Sequence, residues 1–299
     1  MNKNNISVIT VTYHPDLILL EQQLNQLTEC LWVIVDNGSK VEEIKQIESL
    51  IQYRNNCTLI KNVSNQGLAK ALNTGAYYIN KNFQNIEFLL LLDQDSVFEK
   101  EAINILRTAF LQLEAQNKQV GCVGPRLIDF KTKHQHGFHY MKHGLWKRSY
   151  PLEKETRPIQ CTNINGSGTF MRLHVFLGLG GLREDFFIDH IDTEWSFRLL
   201  AAGYELYGIP QAIFDHRMGE DSFRFWLLGW RVWPLRSPLR HYFLFRNTIK
   251  LLKLPYIPLT WKFWALIKMK ITFMVYLTFN RQRIKQMNMM LKGIRSGLK

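Results

Sequence analysis

Cysteine is scarce in this sequence. Only four cysteines occur among the 299 residues, and no two of them form a C-x-x-C pair: Cys30, Cys57, Cys122 and Cys161. Zinc sites need closely paired ligands and disulfide frameworks need densely spaced cysteines, so this spacing argues against both. We therefore expect four reduced, structural thiols.

Long uncharged apolar segments are also missing. The most apolar stretch, Leu254 to Phe279, is interrupted by Lys262, Lys268 and Lys270, whereas a membrane-spanning helix needs about 20 nearly uncharged residues. The first five residues lead directly into a strand without the apolar core of a signal peptide. We expect no spanning helix and a cytoplasmic chain, peripheral on the inner face of the cell membrane.

Acidic residues nearly disappear after residue 216. Residues 217–299 carry 17 Lys and Arg but 2 Asp and Glu, a net charge of +15, whereas residues 1–216 carry 21 and 23, a net charge of −2. We therefore expect two domains, 1–216 and 217–299, the second of them basic and helical from Ser222 onward. Five of the eight tryptophans lie in this tail: Trp226, Trp230, Trp233, Trp261 and Trp264.

Four interpretations of the tail stay open. Cations interleaved with amphipathic rings favour contact with an anionic membrane surface. The tail could instead be an aromatic subdomain that packs on the core, and it is also a candidate for contact between copies of the chain. Binding to nucleic acid, a different functional class, predicts salt-sensitive affinity and no metal-dependent turnover.

The familiar glycine-rich phosphate motifs are absent. No G-x-G-x-x-G follows the first strand and no G-x-x-x-x-G-K-[ST] occurs anywhere, so the usual dinucleotide and P-loop interpretations lose their main support. What the sequence does contain is an alternation of apolar strands with segments of helical spacing. The strands are expected at residues 6–12, 31–35, 58–61, 88–92, 120–123, 204–209 and 212–214, and the helices at 16–30, 41–52, 67–80, 100–116 and 190–202.

This alternation predicts an α/β fold, Rossmann-like and doubly wound, with a mostly parallel sheet and right-handed crossovers. Residues 129–160 have no clean period, so an insertion or an antiparallel edge fits them best.

The most informative stretch is the apolar run Leu89–Leu92, which ends abruptly in Asp93-Gln94-Asp95-Ser96. Alternate side chains of an extended backbone share a face, so Asp93 and Asp95 can converge on one divalent cation and the phosphates that it carries. The alternative is that Ser96 and Glu99 form a capping box for a helix that starts near Phe98.

Two further strands end in polar residues, at Thr12-Tyr13 and at Asp36-Asn37-Gly38-Ser39. The carboxyl ends of parallel strands share one rim of a sheet, and polar strand ends gathered there are typical of a nucleotide crevice. In the absence of a glycine-rich loop, a metal-bridged pyrophosphate fits this rim best.

A second acidic cluster precedes and opens the helix expected near His190. Asp192 could be a general base or only a favourable helix-terminal charge, and Asp189 could be only the cap. Glu194 and Arg198 are spaced as an i,i+4 ion pair, and Trp195, Leu199 and Ala202 should face inward.

Two later residues complete the candidates. His216 could join Asp95 and a pyrophosphate in a metal site, or it could be structural. Arg246, next to Asn247 on an otherwise apolar helix, could hold a leaving diphosphate or an acceptor phosphate, or it could fix the tail to the sheet.

Seven blocks in order resemble the family 2 glycosyltransferases of the GT-A fold, and the DQD block with FIDHIDTEW is most similar to the bacterial rhamnosyltransferases that build O-antigen, capsule and cell-wall rhamnan. The blocks are TVTYHPD, VIVDNGS, NQGLAKALNTG, LLLLDQDS, GLREDFFIDHIDTEWSFRLLAAGY, DHRMGE and RHYFLFRN. The resemblance implies dTDP-L-rhamnose as donor, Mg²⁺ or Mn²⁺ as cofactor, and an inverting transfer to a saccharide on a polyprenyl diphosphate carrier.

The same resemblance implies roles for individual residues. The nucleobase pocket would be lined by Thr12, Tyr13 and Asp36, with Asn65 and Gly67 near the nucleoside. Asp93 would contact the nucleoside and sugar, Asp95 would bind the metal ion, and His216 matches a late metal-site histidine. Asp192 matches the catalytic base, although Ile191 stands where the family usually has Glu, so Asp189 and Glu194 stay alternatives for the base.

Two other transferases remain alternatives. One has the same fold and reaction but uses a UDP-hexose, and the other is a nucleotidyltransferase that forms a nucleotide sugar from a triphosphate.

Overall fold

The structure is a computed structural model that describes residues 5–99, 101–129, 133–216, 222–226 and 230–299. The chain forms two compact units. The first comprises the chain up to Phe187 together with Ile191–His216, and the second comprises Ile188–His190 and the chain after His216.

The first unit contains the sheet. Its strands are β1 (Ile6–Thr12), β2 (Leu31–Asp36), β3 (Cys57–Lys61), β4 (Phe88–Asp93), β5 (Val97–Phe98), β6 (Val120–Asp129), β7 (Phe138–Lys142), β8 (Leu145–Ser149), β9 (Ile159–Cys161), β10 (Thr169–Arg172) and β11 (Glu205–His216). Its helices are α1 (Leu17–Gln26), α2 (Val41–Ile51), α3 (Leu68–Asn82), α4 (Ala102–Ala115), α5 (Leu173–Gly178) and α6 (Ile191–Ala201), with a 3₁₀ turn at Glu184–Phe186.

Within the described residues nine strands form the main sheet, in the order β3-β2-β1-β4-β10-β6-β11-β5, with β9 paired to β11. The first four strands in this order are parallel, as are β6 and β11, whereas β10, β5 and β9 run antiparallel to their neighbours. The predicted Rossmann-like α/β fold is therefore confirmed. Residues 129–160 contain the antiparallel hairpin β7–β8 and strand β9, in agreement with the antiparallel element expected there.

One layer of the core lies between the sheet and the apolar faces of α1, α2 and α4, and buried residues of α3 cover the other face, where Gly75 lies against Ile9. The first of these layers is built around fully buried aromatic rings, of which Phe88 and Phe170 stack at 4.9 Å between centroids on the adjacent strands β4 and β10. Phe110 of α4 meets both rings edge-on. The helices thus cover a sheet whose strands are apolar on both faces. For this reason the strands appear in the sequence as continuous apolar runs.

The structure corrects the capping-box interpretation of Ser96 and Glu99. Val97 and Phe98 form β5, which pairs with the end of β11, and the helix begins only at Ala102. Phe98 stacks on Phe214 at 5.1 Å, so long-range strand pairing outweighs the local helix signal. Ala202, expected to face inward, is exposed one residue after the end of α6.

The two strands expected at 204–209 and 212–214 are one strand, β11. Its register against β6 shifts between Ile209 and Ile213, and Pro210, which has no N–H to donate, lies at this irregularity. A strand can tolerate proline at such a bulge without ending.

The second unit contains β12 (Ser222–Trp226), β13 (Trp230–Pro234), α7 (Pro238–Lys253), α8 (Leu259–Phe279) and α9 (Arg283–Leu298). The prediction that the chain is helical from Ser222 onward is therefore wrong at its start, where β12 and β13 pair as an antiparallel hairpin. Each of these strands has an arginine, Arg224 or Arg231, between two apolar residues. This alternation of polar and apolar residues is typical of a strand. Close packing of α9 on α7 requires glycine, because a Cβ at Gly293 would lie 2.4 Å from the Tyr242 carbonyl oxygen.

Within the residues that the structure describes, no helix is both long and apolar enough to cross a membrane. All four cysteines are free thiols. Burial raises the pKa of the Cys161 thiol to about 12 and that of Cys57 to about 11, so neither forms a reactive thiolate near neutral pH.

Candidate active site

Three strands bring their carboxyl ends to one edge of the sheet. Thr12 is the register partner of Asp36 across β1 and β2, and Val11 is the partner of Asp93 across β1 and β4. The polar residues that were expected to share a rim therefore lie side by side.

Asp36 holds the turn that follows β2. It is fully buried, and its Oδ2 accepts hydrogen bonds from the hydroxyls of Thr12 at 3.0 Å and Ser39 at 2.5 Å. Its Oδ1 accepts from the backbone N–H groups of Gly38 and Ser39 at 3.2 and 3.0 Å. Because both oxygens are engaged by the chain's own donors, Asp36 and Thr12 shape this part of the rim together.

Asn65 and Gly67 form the adjoining wall. The Asn65 Oδ1 accepts from the Asn37 side chain and from the Gly67 N–H, both at 3.0 Å, which ties the turn after β2 to the segment before α3. Gly67 has φ +91°, and a Cβ there would lie 2.7 Å from the Phe187 ring. Only glycine fits both the left-handed backbone and this close approach.

Tyr13 is linked to the Asp93–Asp95 turn through Gln94. The Tyr13 N–H donates to the Gln94 Oε1 at 2.8 Å, and the Gln94 Nε2 donates to the Tyr13 carbonyl at 3.2 Å. The Tyr13 side chain is 45% exposed, so its ring remains available at the rim.

Sequence reasoning missed the residues that brace this turn. Gln23 of α1 donates from its Nε2 to the carbonyls of Asp93 at 2.9 Å and Ser96 at 2.7 Å. On the other side, the Ser167 hydroxyl accepts from the Asp93 N–H at 3.2 Å and lies 2.5 Å from the Ser96 hydroxyl. A signal for Gln23 was present, since it is a polar residue within the apolar helical series Leu20, Leu24 and Leu27.

Asp95 and His216 reach the same end of the sheet through their backbones. Val97, two residues after Asp95, pairs with Asp215, the residue before His216. The His216 side chain lies outside the described part of the structure. Among the described side chains, no group of three or more His, Cys, Asp or Glu residues is arranged to hold a metal ion.

Asp95 nevertheless fits a divalent cation. Its side chain is only partly buried, on the turn that follows β4. A carboxylate oxygen is the kind of ligand that Mg²⁺ and Mn²⁺ prefer, and such ions take further ligands from substrate phosphates. The donor set therefore suits a cation shared with a bound diphosphate.

The three carboxylates considered as bases lie in different surroundings. Glu194 is completely buried, and both of its oxygens accept from the Arg198 guanidinium, at 2.9 and 2.8 Å. Burial disfavours ionisation of Asp189, but Arg236 and Arg240 outweigh it and hold the pKa of that carboxyl below its usual value. Asp192 is partly buried in the first turn of α6, where its Oδ1 accepts from the Thr193 N–H at 2.8 Å.

Arg246 lies in α7 of the second unit. Its Nε donates to the Asn247 Oδ1 at 3.1 Å, and its guanidinium carbon is 4.8 Å from the centre of the Phe243 ring. The Asn247 Nδ2 donates to the carbonyls of Ile188 and Asp189, so this asparagine anchors a segment of its own unit.

Comparison with known proteins identifies the family. The sequence model described as "Glycosyl transferase family 2" matches residues 17–178, and the chain is 30% identical over 265 residues to the dTDP-rhamnosyl transferase RfbF of Shigella flexneri, covering 86% of this chain and 82% of that protein. The chain belongs to glycosyl transferase family 2. Its general activity is therefore glycosyl transfer.

Solved structures with low sequence identity share the fold. GalNAc-T7, solved with UDP, GalNAc and Mn²⁺, superposes with a TM-score of 0.58 at 15% identity over 94% of this chain, which spans only 57% of that structure's length. The mannosyltransferase PcManGT of Pyrobaculum calidifontis, in complex with GDP-Man and Mn²⁺, gives 0.56 at 15% identity and covers 99% and 87% of the two chains. S. aureus TarS 1-349 gives 0.56 at 13% identity, covering 98% and 80%. These likenesses confirm the predicted GT-A fold.

Proposed function

We propose that this glycosyltransferase moves L-rhamnose from dTDP-L-rhamnose to a hydroxyl of a saccharide during cell-surface polysaccharide synthesis, such as that of O-antigen or capsule. The observation that carries this proposal is the 30% identity to a dTDP-rhamnosyl transferase over 86% of the chain. The polar rim supports it, since three strand ends carry polar residues at the edge of the sheet where nucleotides bind in open α/β folds.

The donor residues follow from this rim. Thr12, Tyr13 and Asp36 would line the nucleobase side, Asn65 and Gly67 the nucleoside, and Asp93 the nucleoside and sugar. Arg246 would hold the leaving diphosphate or an acceptor phosphate. In this proposal residues 1–216 are the catalytic domain and residues 217–299 the domain for membrane association and acceptor binding.

Metal dependence rests on Asp95, with His216 as a further ligand. A bound Mg²⁺ or Mn²⁺ would neutralise the charge that develops on the departing nucleoside diphosphate. The Mn²⁺ present in the GalNAc-T7 and PcManGT structures and the partly buried carboxylate of Asp95 at the rim support this assignment.

Asp192 is the proposed catalytic base. It would take the proton from the acceptor hydroxyl as that oxygen attacks the anomeric carbon in a single inverting displacement, with no covalent enzyme intermediate. Its place supports the choice, because Asp192 is partly buried in the first turn of α6, at the position that matches the base of the family motif.

The acceptor proposed here is a saccharide on a polyprenyl diphosphate, met at the anionic inner surface of the membrane. In α8, exposed apolar side chains recur at helical spacing, at Leu259, Phe263, Leu266 and Met274, within a unit that carries excess positive charge. Apolar side chains flanked by lysines suit the headgroup boundary of an anionic bilayer. Contact between copies of the chain through α8 is the alternative.

The donor assignment is tested by incubating the purified protein with Mn²⁺ and a panel of nucleotide sugars, and measuring release of the nucleoside diphosphate. We expect the fastest release from dTDP-L-rhamnose. Faster release from a UDP-hexose would contradict dTDP-L-rhamnose as the donor but not glycosyl transfer as the reaction. The formation of a nucleotide sugar from a triphosphate would identify a nucleotidyltransferase.

The membrane assignment is tested by flotation with liposomes that contain or lack anionic lipid. We expect the protein to float only with anionic liposomes and Phe263→Ser/Leu266→Ser to weaken that association. Equal behaviour with both lipid compositions would contradict the proposed membrane contact.

A further inference from the structure

Residues Ile188–His190 occupy an unusual place in the chain. They follow Phe187 and precede Ile191, both of which belong to the first unit, yet they group with the chain after His216 in the second unit. Asp192, the proposed base, is only two residues beyond His190 and lies in the first turn of α6. The second unit therefore holds the main chain immediately before the catalytic carboxylate.

The backbone of this segment is strained. Asp189 and His190 both have φ +63°, and Phe187 just before them has φ +64° and ψ −64°. Residues other than glycine rarely adopt this left-handed conformation, and it persists only where the surrounding structure enforces it. Something must therefore hold Ile188–His190 in place.

The first restraint is a buried ion pair. The Asp189 side chain is 7% exposed, and its Oδ1 accepts from the Arg236 Nη1 at 2.7 Å and from the Arg240 Nη2 at 3.1 Å. The Arg240 Nε also approaches Oδ2 at 3.3 Å. A buried carboxylate between two guanidinium groups has a fixed position. Separating the carboxylate from both guanidinium groups would leave its buried charge uncompensated.

Asn247 and His190 supply the second restraint. The buried Asn247 Nδ2 donates to the carbonyls of Ile188 at 2.7 Å and Asp189 at 2.9 Å. The Thr248 hydroxyl donates to the Leu244 carbonyl, so at its 3.0 Å contact with the His190 Nε2 it must be the acceptor. His190 therefore donates from Nε2, and burial lowers its pKa to about 4, which favours the neutral imidazole near pH 7.

We propose that Arg236, Arg240 and Asn247 are positioning residues for catalysis: by holding Ile188–His190 they fix the first turn of α6 and hence the carboxylate of Asp192. Helix ends are the least restrained part of a helix, and a base displaced by about 1 Å can lose a factor of about 100 in rate. The inference rests on the proposed role of Asp192.

The test uses the full chain with Arg236→Gln/Arg240→Gln, the same double variant with Asp189→Asn added, and Asn247→Ala. The triple variant removes the buried charge that the double variant leaves unpaired, so it can fold if the double variant does not. The matched control is Arg281→Gln/Arg295→Gln, which removes two exposed arginines from the same unit.

Three quantities are measured: kcat and donor KM for dTDP release from dTDP-L-rhamnose, and deuterium exchange of the amides of residues 187–192. For those variants at Arg236, Arg240 and Asn247 that fold, we expect kcat to fall by about 10- to 100-fold and donor KM to change by less than about 2-fold. Deuterium exchange of the amides of residues 187–192 should become faster. The control should match the wild type in all three.

Two results would overturn the proposal: unchanged exchange at 187–192 in the folded variants, or unchanged kcat together with a raised donor KM. If the wild-type protein releases no dTDP, the proposed donor fails instead. The exchange measurement still decides whether the restraint exists, since it requires no substrate.

Discussion

The side-chain amide of Gln23 donates a 2.9 Å hydrogen bond to the main-chain carbonyl of Asp93, across the interface between α1 and the end of β4. The same nitrogen donates to Ser96 at 2.7 Å, and Gln23 is only 1% exposed. One buried amide thus spans the two ends of the turn that carries Asp95. The position of the proposed metal ligand depends on a residue from a different helix.

We predict that Gln23→Leu destabilises the protein and impairs the metal site. The change removes the Gln23 hydrogen bonds to both carbonyls. The Asp93 carbonyl keeps the Ser96 N–H as a donor at 3.2 Å, whereas the Ser96 carbonyl loses the buried amide, at a cost of about 1–3 kcal/mol in the free energy of unfolding. The Asp95 turn should loosen as well, so that a higher Mn²⁺ concentration is needed for half-maximal rate. Urea denaturation and metal titration of the rate measure the two effects.

The matched control is Gln22→Leu, which makes the same exchange at the exposed neighbouring position of α1. It should leave both quantities close to wild type. A Gln23→Leu protein that is destabilised but has unchanged metal dependence would show that Gln23 supports the fold without positioning Asp95.

Asp95→Ala should abolish turnover. If Asp95 holds the divalent ion beside the diphosphate, its removal should also weaken the metal-dependent part of dTDP binding, because the ion then loses its carboxylate ligand. Isothermal calorimetry with dTDP, with and without Mn²⁺, measures this coupling. The control is Glu99→Ala, which removes an exposed carboxylate four residues later. If Mn²⁺ enhanced dTDP binding equally in the wild type and in Asp95→Ala, Asp95 would not be a ligand of the metal ion.

Asp192→Asn should separate chemistry from binding. The amide has nearly the shape of the carboxylate but cannot accept the proton of the acceptor hydroxyl, so we expect the rate to fall by at least ~100-fold while donor binding stays nearly intact. Asp185→Asn, at an exposed position, should behave as wild type. Full activity of Asp192→Asn would transfer the role of base to another group.

The sequence predicted the sheet well because the signals there are local. Apolar runs such as Leu89–Leu92 are buried on both faces, so composition alone marks them as strands, and parallel pairing then places Thr12, Asp36 and Asp93 at one rim. The Glu194–Arg198 ion pair was predictable for the same reason, since helical spacing of four residues brings the two side chains together.

The features that escaped prediction depend on distant partners. Ser96 was interpreted as a helix cap because only its neighbours were visible, whereas its hydroxyl contacts Ser167, 71 residues later. The strands β12 and β13 escaped prediction for a different reason. They form a local hairpin, but their basic, aromatic composition is the same as that of the following helices. The attachment of Asp189 to Arg236 likewise links residues 47 positions apart, and no short pattern reveals it.

Two arginines provide a matched comparison of ion pairs. Arg198 is the partner of the fully buried Glu194 and also donates to the carbonyls of Leu179 and Gly181, whereas Arg183 pairs with Asp185 at the surface. Removing a buried partner leaves an uncompensated charge, so Arg198→Ala should lower the free energy of unfolding by about 3–5 kcal/mol.

Arg183→Ala should lower the free energy of unfolding by less than about 1 kcal/mol, because water solvates the charge that remains on Asp185. Urea denaturation of both variants at neutral pH gives the comparison. Restoring stability in an Arg198→Ala/Glu194→Gln double variant would identify the stranded carboxylate as the cause, and similar losses for the two single variants would contradict this account of the buried pair.

The stability of the second unit should depend on pH through His241. This imidazole is fully buried in α7, its Nδ1 lies 2.7 Å from the Gln286 Oε1, and burial, aided by the charge of Arg236, lowers its pKa to about 4. The Gln286 Oε1 can only accept, so the proton resides on Nδ1. The native state therefore favours the neutral ring, while the unfolded chain binds a proton near pH 6.5.

The contribution of His241 to stability is thus fully present above pH 6.5, decreases as the pH falls towards 4, and is constant below that value. Between these limits the unfolded state binds up to one more proton, so the slope is at most about 1.4 kcal/mol per pH unit. Urea denaturation from pH 7.5 to 4.5 should show a shallower pH dependence in His241→Gln than in wild type, and no change in slope in His174→Gln, at an exposed histidine of α5. Parallel curves for His241→Gln and wild type would mean that His241 accepts a proton in the native state as readily as in the unfolded chain.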